Sequence, residues 1–438
     1  MNLDEYGCFG RYPKVLPKNV VFAEWRHKLP DFSKIDTPVL AHAYGKSYGD
    51  SCLLENGTLI DTKRMNHFID FDRENATITC EAGVTLAQIL DLITPERFFL
   101  AATPGTKHIS VGGAIANDVH GKNHHIAGTF GTNLLEFELV RSTGERLICS
   151  RTENPELFAA TIGGLGLTGL ITWAKFNIRK VSSPFIRAQS ILFDSLEEFF
   201  EINEESERDF NYTVSWVDLT ARDSRLGRGI YNRGNHLNPE EFEEPKLKLD
   251  APIPNFPLDY PFINTLSVQA FNTAYYNKQM TKKVEMTTHF NPFFYPLDAV
   301  SGWNKAYGKN GFLQYQFVIP FDNVYPNIRK ILKYIVDTGL SSFMTVLKTF
   351  GSVKSPGMLS FPRPGVTLAV DFRYEGASTL EILKKMNAMV RDFGGVIYPA
   401  KDAQMSAEDF HAFYPQAEKF AKYIDPKFDS HFRQRVKL

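Results

Sequence analysis

The groups that could do chemistry in this chain are concentrated in one run, Pro104 to Gly131. It holds Gly105, Gly112, Gly113, Gly121, Gly128 and Gly131, with His108, His120, His124, His125, Lys107, Lys122, Asn117 and Asn123 among them. Glycine reaches positive φ and lets backbone come close to a ligand, while the other side chains add hydrogen-bonding and titratable groups. The composition is that of a backbone-lined cradle for a large polar cofactor. An ordinary surface loop is the plain alternative.

Two more glycine clusters flank it. Tyr44-Gly45-Lys46-Ser47-Tyr48-Gly49-Asp50-Ser51 follows a short apolar strand that begins at Val39, and backbone N–H groups in such a turn can nest phosphate oxygens. It lacks the spacing of a Walker loop. Gly164-Leu165-Gly166-Leu167-Thr168-Gly169 fits G-x-G-x-x-G letter for letter. A dinucleotide fingerprint needs strand, turn, helix in that order. Here a helix starting at Pro155 comes first and a β-rich run, Ile171 to Ile178, comes after, so a Rossmann reading is rejected.

Other candidates sit on strands. Gln314 and Gln316 alternate with Leu313, Tyr315 and Phe317, so a strand there has one partly polar face that could line a pocket. Lys348 lies in a strand read from Phe343 to Phe350, and Lys401 follows a strand beginning at Val396, beside Asp402. Taken alone, Lys401 reads as half of a surface ion pair worth ~0–1 kcal/mol.

The elements that must position these groups follow from periodicity. Leu59–Asp61, Phe68–Phe71 and Thr77–Ala82 read as strands of a small meander. Thr85 caps a helix through Leu86, Ile89, Leu90 and Ile93. Leu134–Val140 and Glu145–Cys149 flank Ser142-Thr143-Gly144 as a hairpin. From about Pro184 strands alternate with amphipathic helices: Ile191–Phe193, a helix Leu196–Glu205, Thr213–Asp218, a strand Gly311–Pro320, a helix Val324–Thr338, a strand Val366–Phe372, a helix Thr379–Phe393 and a last helix Ser406–Tyr414. Residues 235–264, proline-rich with an acidic run, read as a long mobile loop of the kind that forms lids. The pattern predicts an α+β chain of two domains, the second an antiparallel sheet with helices on one face.

The totals exclude several classes. With 23% charged residues and a net charge of −1, the chain of 438 residues has no basic excess for nucleic acid. Cys8, Cys52, Cys80 and Cys149 are too scattered for a zinc knuckle or redox dithiol, so no metal site is read. The N-terminus lacks the regions of a secretory signal and no apolar run is long enough to span a membrane, which predicts a soluble, cytoplasmic protein.

The three glycine clusters together resemble the PCMH-type FAD-binding domain of the vanillyl-alcohol oxidase superfamily. His120-Gly121-Lys122-Asn123-His124-His125, Trp216-Val217-Asp218, Leu313-Gln314-Tyr315-Gln316-Phe317, Tyr398-Pro399-Ala400-Lys401-Asp402 and Phe410-His411-Ala412-Phe413-Tyr414-Pro415 resemble, within it, the polyprenylphosphoryl-β-D-ribose 2-oxidase family, over nearly the whole chain. The resemblance implies a discontinuous FAD domain, residues 1–182 with a returning segment 398–438, and an inserted substrate domain, 183–397. FAD contacts are expected at Lys46, Ser47, Tyr48, Gly49, Pro104, Gly105, Thr106, Gly112, Gly113, Asn117, His120, Ile171, Tyr398 and Ala400. Lys122, Gln314, Gln316, Lys348 and Lys401 are the expected substrate contacts, and Lys401, Tyr48 and His120 the catalytic candidates. His124 and His125 are read as structural or flavin-adjacent.

The implied reaction oxidises a secondary sugar hydroxyl, C2 of a polyprenylphosphoryl ribose, with hydride passing to flavin N5. A short-chain NAD(P)H-dependent reductase acting on the keto product would complete a 2′-epimerisation to the arabinose form. Peripheral contact with the inner membrane follows from a lipid substrate. An FAD oxidase of free sugars, alditols or aldonolactones and a non-catalytic flavin-binding protein are the alternatives. Two departures stand out: Asp50 occupies the place where covalent members carry a flavin-bonding histidine, which predicts non-covalent FAD, and Ala369 replaces a cysteine of the mycobacterial ribose oxidases.

Overall fold

The computed structural model describes residues 3–238, 255–256 and 259–438. It is an α+β structure whose strands form three sheets. The expected single meander divides between two of them. Thr58–Asp61 lies between Asn19–Phe22 and Val39–His42 in a parallel three-stranded sheet. Phe68–Asp72 and Thr77–Glu81 form a hairpin at the edge of a six-stranded antiparallel sheet. Thr58–Asp61 is buried at every residue, and a strand buried on both faces carries no alternation from which its partners could be read.

In the six-stranded sheet, Leu170–Lys180 is central, paired with Thr77–Glu81, Leu134–Val140 and Phe98–Leu100, and the Leu134–Val140/Arg146–Ser150 hairpin forms as read. Thr85 caps Leu86–Ile93, its Oγ1 accepting from Gln88 N at 3.2 Å while Gln88 Oε1 accepts from Thr85 N at 2.9 Å. The third glycine cluster runs from the helix Pro155–Thr161 to the strand Leu170–Lys180, the order that excluded a Rossmann turn. It backs the run Pro104–Gly131: Gly163 N donates to Ile115 O at 2.9 Å and Leu165 N to Ala116 O at 2.8 Å.

The third sheet is antiparallel and eight-stranded, in the order Lys283–His289, Phe185–Phe193, Gly229–His236, Tyr212–Val217, Thr345–Phe350, Gly365–Arg373, Phe312–Ile319, Val396–Ile397. Helices Leu196–Asp209, Val324–Asp337 and Ala377–Asp392 supply Phe199, Ile328, Ile331, Leu332, Leu383 and Met386 to one buried cluster with Leu313, Tyr315, Phe317, Leu347, Leu368 and Val370. Burial at roughly 1.5–3 kcal/mol per large apolar side chain makes this the main support of the sheet. The alternate residues of the same strands, Gln314, Gln316, Val346, Lys348 and Ala369, are left on the opposite side.

Several elements are not read from the sequence pattern, the strands Asn19–Phe22, Phe98–Leu100 and Gly229–His236 among them; two more show why. Lys283–His289 is an edge strand, mostly exposed, so it lacks an apolar stripe. The helix Thr265–Asn277 is capped by Asn264, whose side chain accepts from Leu266 N and Ser267 N. Within the expected 235–264 loop, the strand Gly229–His236 reaches into its start, and residues 239–254 and 257–258 lie outside the described residues.

The C-terminal segment joins the eight-stranded sheet to the parallel one. After Val396–Ile397, Tyr398 N donates to Gln316 O at 2.9 Å, Ala400 O accepts from Tyr48 N at 3.1 Å, and Phe428 bridges to Val39.

Candidate active site

A cavity of about 770 Å³ lies where the loop Pro104–Gly131, the turn after Val39–His42, the glycine cluster and the polar face of the eight-stranded sheet meet. Its volume falls within the range of small-molecule and cofactor sites. One wall is built from Lys46, Ser47 and Tyr48, from Pro104, Gly105 and Thr106, and from Gly112, Gly113, Asn117 and Ile171. The opposite wall is Gln314, Gln316, Lys348 and Ala369, with His120, Lys122, Tyr398, Ala400 and Lys401 at the junction.

All but one of the residues expected to contact FAD or substrate, or to act in catalysis, therefore line this space. The exception is Gly49, which does not line the cavity. A Cβ there would sit 1.6 Å from the Asp402 carbonyl oxygen; glycine is required by close backbone packing, not by a ligand. Asp50 also turns away from the cavity and is bound by Arg435 and His431.

The fold holds the candidates by specific bonds. Lys348 Nζ donates to Gly121 O, and Lys122 O accepts from Thr213 N at 3.0 Å, fastening the second half of the loop to the sheet. Asp118 fastens it a second time, accepting from Gly131 N at 2.9 Å and from the hydroxyls of Ser355 and Ser360. Gln316 Nε2 donates to His120 Nε2 at 3.1 Å and to Thr367 Oγ1 at 3.3 Å. The tautomer of His120 in that bond carries its proton on Nδ1. Tyr398 OH donates to Asn117 O at 2.6 Å, and its ring stacks on Phe361. Lys401 Nζ lies 3.8 Å from the centre of the Tyr48 ring.

Enclosure sets the charge states. Burial lowers Lys401 to about 7, opposed by the negative charge of Asp371. It lowers Lys348 to about 7, helped by the charge of Lys122, and Lys122 to about 8. His120 is pushed well below its ordinary value by burial and by Lys348, His124 and Lys401, so it is neutral. Burial drives the Tyr48 phenol well above 10, so it keeps its proton. Among the described residues, Lys46, Lys122, Lys348 and Lys401 line the cavity against a single carboxylate, Asp298. That balance suits a ligand carrying several phosphate charges.

Some groups went unnoticed in the sequence. Asp371 stands opposite Gln314 in the register and accepts from its Nε2 at 2.6 Å; burial raises this carboxyl to about 7. Its signal was present, an aspartate inside the apolar run Leu368-Ala369-Val370-Asp371-Phe372. His124 and His125 take no place in the cavity lining: His124 is buried beside Phe350, and His125 Nε2 pairs with Phe210 O at 3.0 Å.

The cavity also contains polar atoms with no partner in the protein: both ring nitrogens of His42, Ser51 Oγ, Asn117 Oδ1 and His120 Nδ1. Buried groups of this kind are costly unless a ligand or water completes them. The orphaned donors and acceptors, the glycine-lined wall and the lysine excess fit FAD.

Comparison with known proteins covers both walls. Residues 29–150 match the FAD binding domain family. The decaprenylphosphoryl-beta-D-ribose oxidase of Mycolicibacterium smegmatis is 34% identical over 416 residues, spanning 91% of this chain and 89% of the relative. An uncharacterized protein of Streptomyces coelicolor is 27% identical over 377 residues, 81% of this chain and 100% of the relative. The L-gulonolactone oxidase of Scyliorhinus torazame matches over only 129 residues at 29% identity, 29% of this chain and 28% of the relative. Similarity that runs through the cofactor wall and the polar sheet face alike shows that this chain belongs to the decaprenylphosphoryl-β-D-ribose oxidase family of FAD-dependent oxidoreductases.

Proposed function

We propose that the protein oxidises C2 of a polyprenylphosphoryl-β-D-ribose to the ketone. The observation that carries this reading is the meeting, in one cavity, of an FAD-type wall with a sheet face of Gln314, Gln316 and Lys348, where four lysines face a single carboxylate. Residues 1–182 and 398–438 are read as the FAD domain and 183–397 as the inserted substrate domain. FAD is read as non-covalently held by Lys46, Ser47, Tyr48, the Pro104–Thr106 backbone, Gly112, Gly113, Asn117, Ile171, Tyr398 and Ala400, and, when bound, it supplies the two-electron acceptor for the reaction.

The chain's own residues manage the rest. Oxidising an alcohol releases its hydroxyl proton. Lys401, lowered to about 7, is the group able to take it near neutral pH. The neutral phenol of Tyr48 can hydrogen-bond the sugar oxygen, and His120, too weak a base, offers Nδ1–H as a donor. Gln314 and Gln316 orient the sugar, and Lys122 and Lys348 hold the phosphate. The exposed Tyr260, Phe262 and Leu266 support contact of this side with a membrane; no described helix is long and apolar enough to cross one. A short-chain reductase is the proposed consumer of the ketone.

Anaerobic flavin bleaching tests the substrate. Reduction by polyprenylphosphoryl ribose and not by free alditols or aldonolactones is the expected result. Bleaching by the free compounds alone would transfer the assignment to that class, and bleaching by neither would leave a flavin-binding protein. Acid precipitation should release the yellow flavin to the supernatant.

A further inference from the structure

We infer that Arg435, near the end of the chain, is a positioning residue that clamps the Tyr48 turn against the Lys401 turn. This rests on the reading of Tyr48 and Lys401 as groups at the reacting sugar. The guanidinium grips Asp50 with two bonds, Nε to Oδ2 at 2.8 Å and Nη2 to Oδ1 at 2.8 Å. From the same Nη2 it reaches Asp402 Oδ2 at 2.8 Å, and Nη1 donates to Met405 O. Asp402 adjoins Lys401, and Asp50 lies just beyond Tyr48 and Gly49.

Both carboxylates are buried, at 0% and 4% exposure. Two anions brought this close repel unless a cation lies between them. His431 Nδ1, 2.8 Å from Asp50 Oδ2, assists on one side only. A planar guanidinium can serve two carboxylates at once, which a lysine ammonium on a flexible stem does poorly. The clamp closes turns that already touch: Tyr48 N donates to Ala400 O at 3.1 Å, and Gly49 packs on the Asp402 carbonyl. The outcome is the 3.8 Å approach of Lys401 Nζ to the Tyr48 ring. Arg435, Asp50 and Asp402 do not line the cavity, so they act through the neighbours they hold.

The test uses the FAD-loaded enzyme with Arg435→Lys and Arg435→Ala, the latter with and without ethylguanidinium. Flavin reduction by a short-chain polyprenylphosphoryl ribose is followed together with amide hydrogen exchange at residues 46–50 and 400–405. Misplacement by about 1 Å costs on the order of 10²-fold. The expected result is a loss of about that size in the limiting rate with little change in half-saturation, faster exchange in both turns together, and partial recovery of the Ala variant by ethylguanidinium. If the Ala variant does not fold, the Lys variant decides. A wild-type rate with unchanged exchange in Arg435→Lys overturns the clamp. Faster exchange in both turns at an unchanged rate overturns the catalytic reading of Tyr48 and Lys401, and the positioning role with it. Loosening spread evenly over the whole chain also overturns it, since that is loss of general stability.

Discussion

Lys401 and Asp371 carry opposite charges and share one cause of perturbation, burial. Burial lowers the lysine and raises the carboxyl, bringing both to about 7, and each charge favours the other. If neutral Lys401 takes the hydroxyl proton, the rate of flavin reduction rises with pH through an apparent midpoint near 7. That midpoint belongs to the pair and not to one residue. Lys401→Met should lower the rate by about 10²–10⁴-fold and abolish this limb in a stopped-flow pH series. Asp371→Asn removes the charge that supports the ammonium, so the limb should move to lower pH; a shift to higher pH would contradict the pairing.

At the scale of elements, the site depends on turns whose geometry leaves no room. In Gly49→Ala the new methyl meets the Asp402 carbonyl at 1.6 Å. Overpacking of this kind costs typically 1–3 kcal/mol, and one of the turns carrying Tyr48 and Lys401 must move. Urea unfolding should show the lost stability, and flavin reduction should slow with it. The Thr85 cap offers a contrast. Thr85→Ala should cost ~1 kcal/mol by removing the hydroxyl that accepts from Gln88 N and donates to Gln88 Oε1, without altering the rate constant of the loaded enzyme.

For the molecule as a whole, ligand and protons are linked to folding. Lys348, near 7 in the folded chain against an ordinary 10.5, binds fewer protons folded than unfolded between those values. Stability rises with pH wherever the unfolded state binds more protons, so this residue makes the flavin-free protein more stable as pH rises from about 7 toward 10. Denaturation midpoints across that window should show the slope, and Lys348→Met should reduce it, leaving the part that Lys401 and Lys122 contribute. FAD at a hundred times its Kd should add about 2.7 kcal/mol if only the folded chain binds it.

Local pattern carried much of this protein. Alternation in Leu313–Phe317 puts two glutamines on one face because a strand has period two, and the order helix, glycines, strand by itself excludes a Rossmann turn. The motif types that resemble FAD oxidases are local as well, which is why every expected FAD, substrate and catalytic residue but Gly49 lines the cavity. What local pattern could not carry is pairing between distant segments. Thr58–Asp61 is uniformly buried, so nothing in it says that its neighbours are parallel. Asp371 acquires its meaning only opposite Gln314. Lys401 reads alone as a surface ion pair with Asp402, yet the fold gives Asp402 to Arg435 and leaves the lysine enclosed over Tyr48. The amino-acid sequence by itself determined the kinds of groups and the faces they occupy. Tertiary structure decided which of them are desolvated together, because burial and partnership depend on contacts between residues hundreds of positions apart.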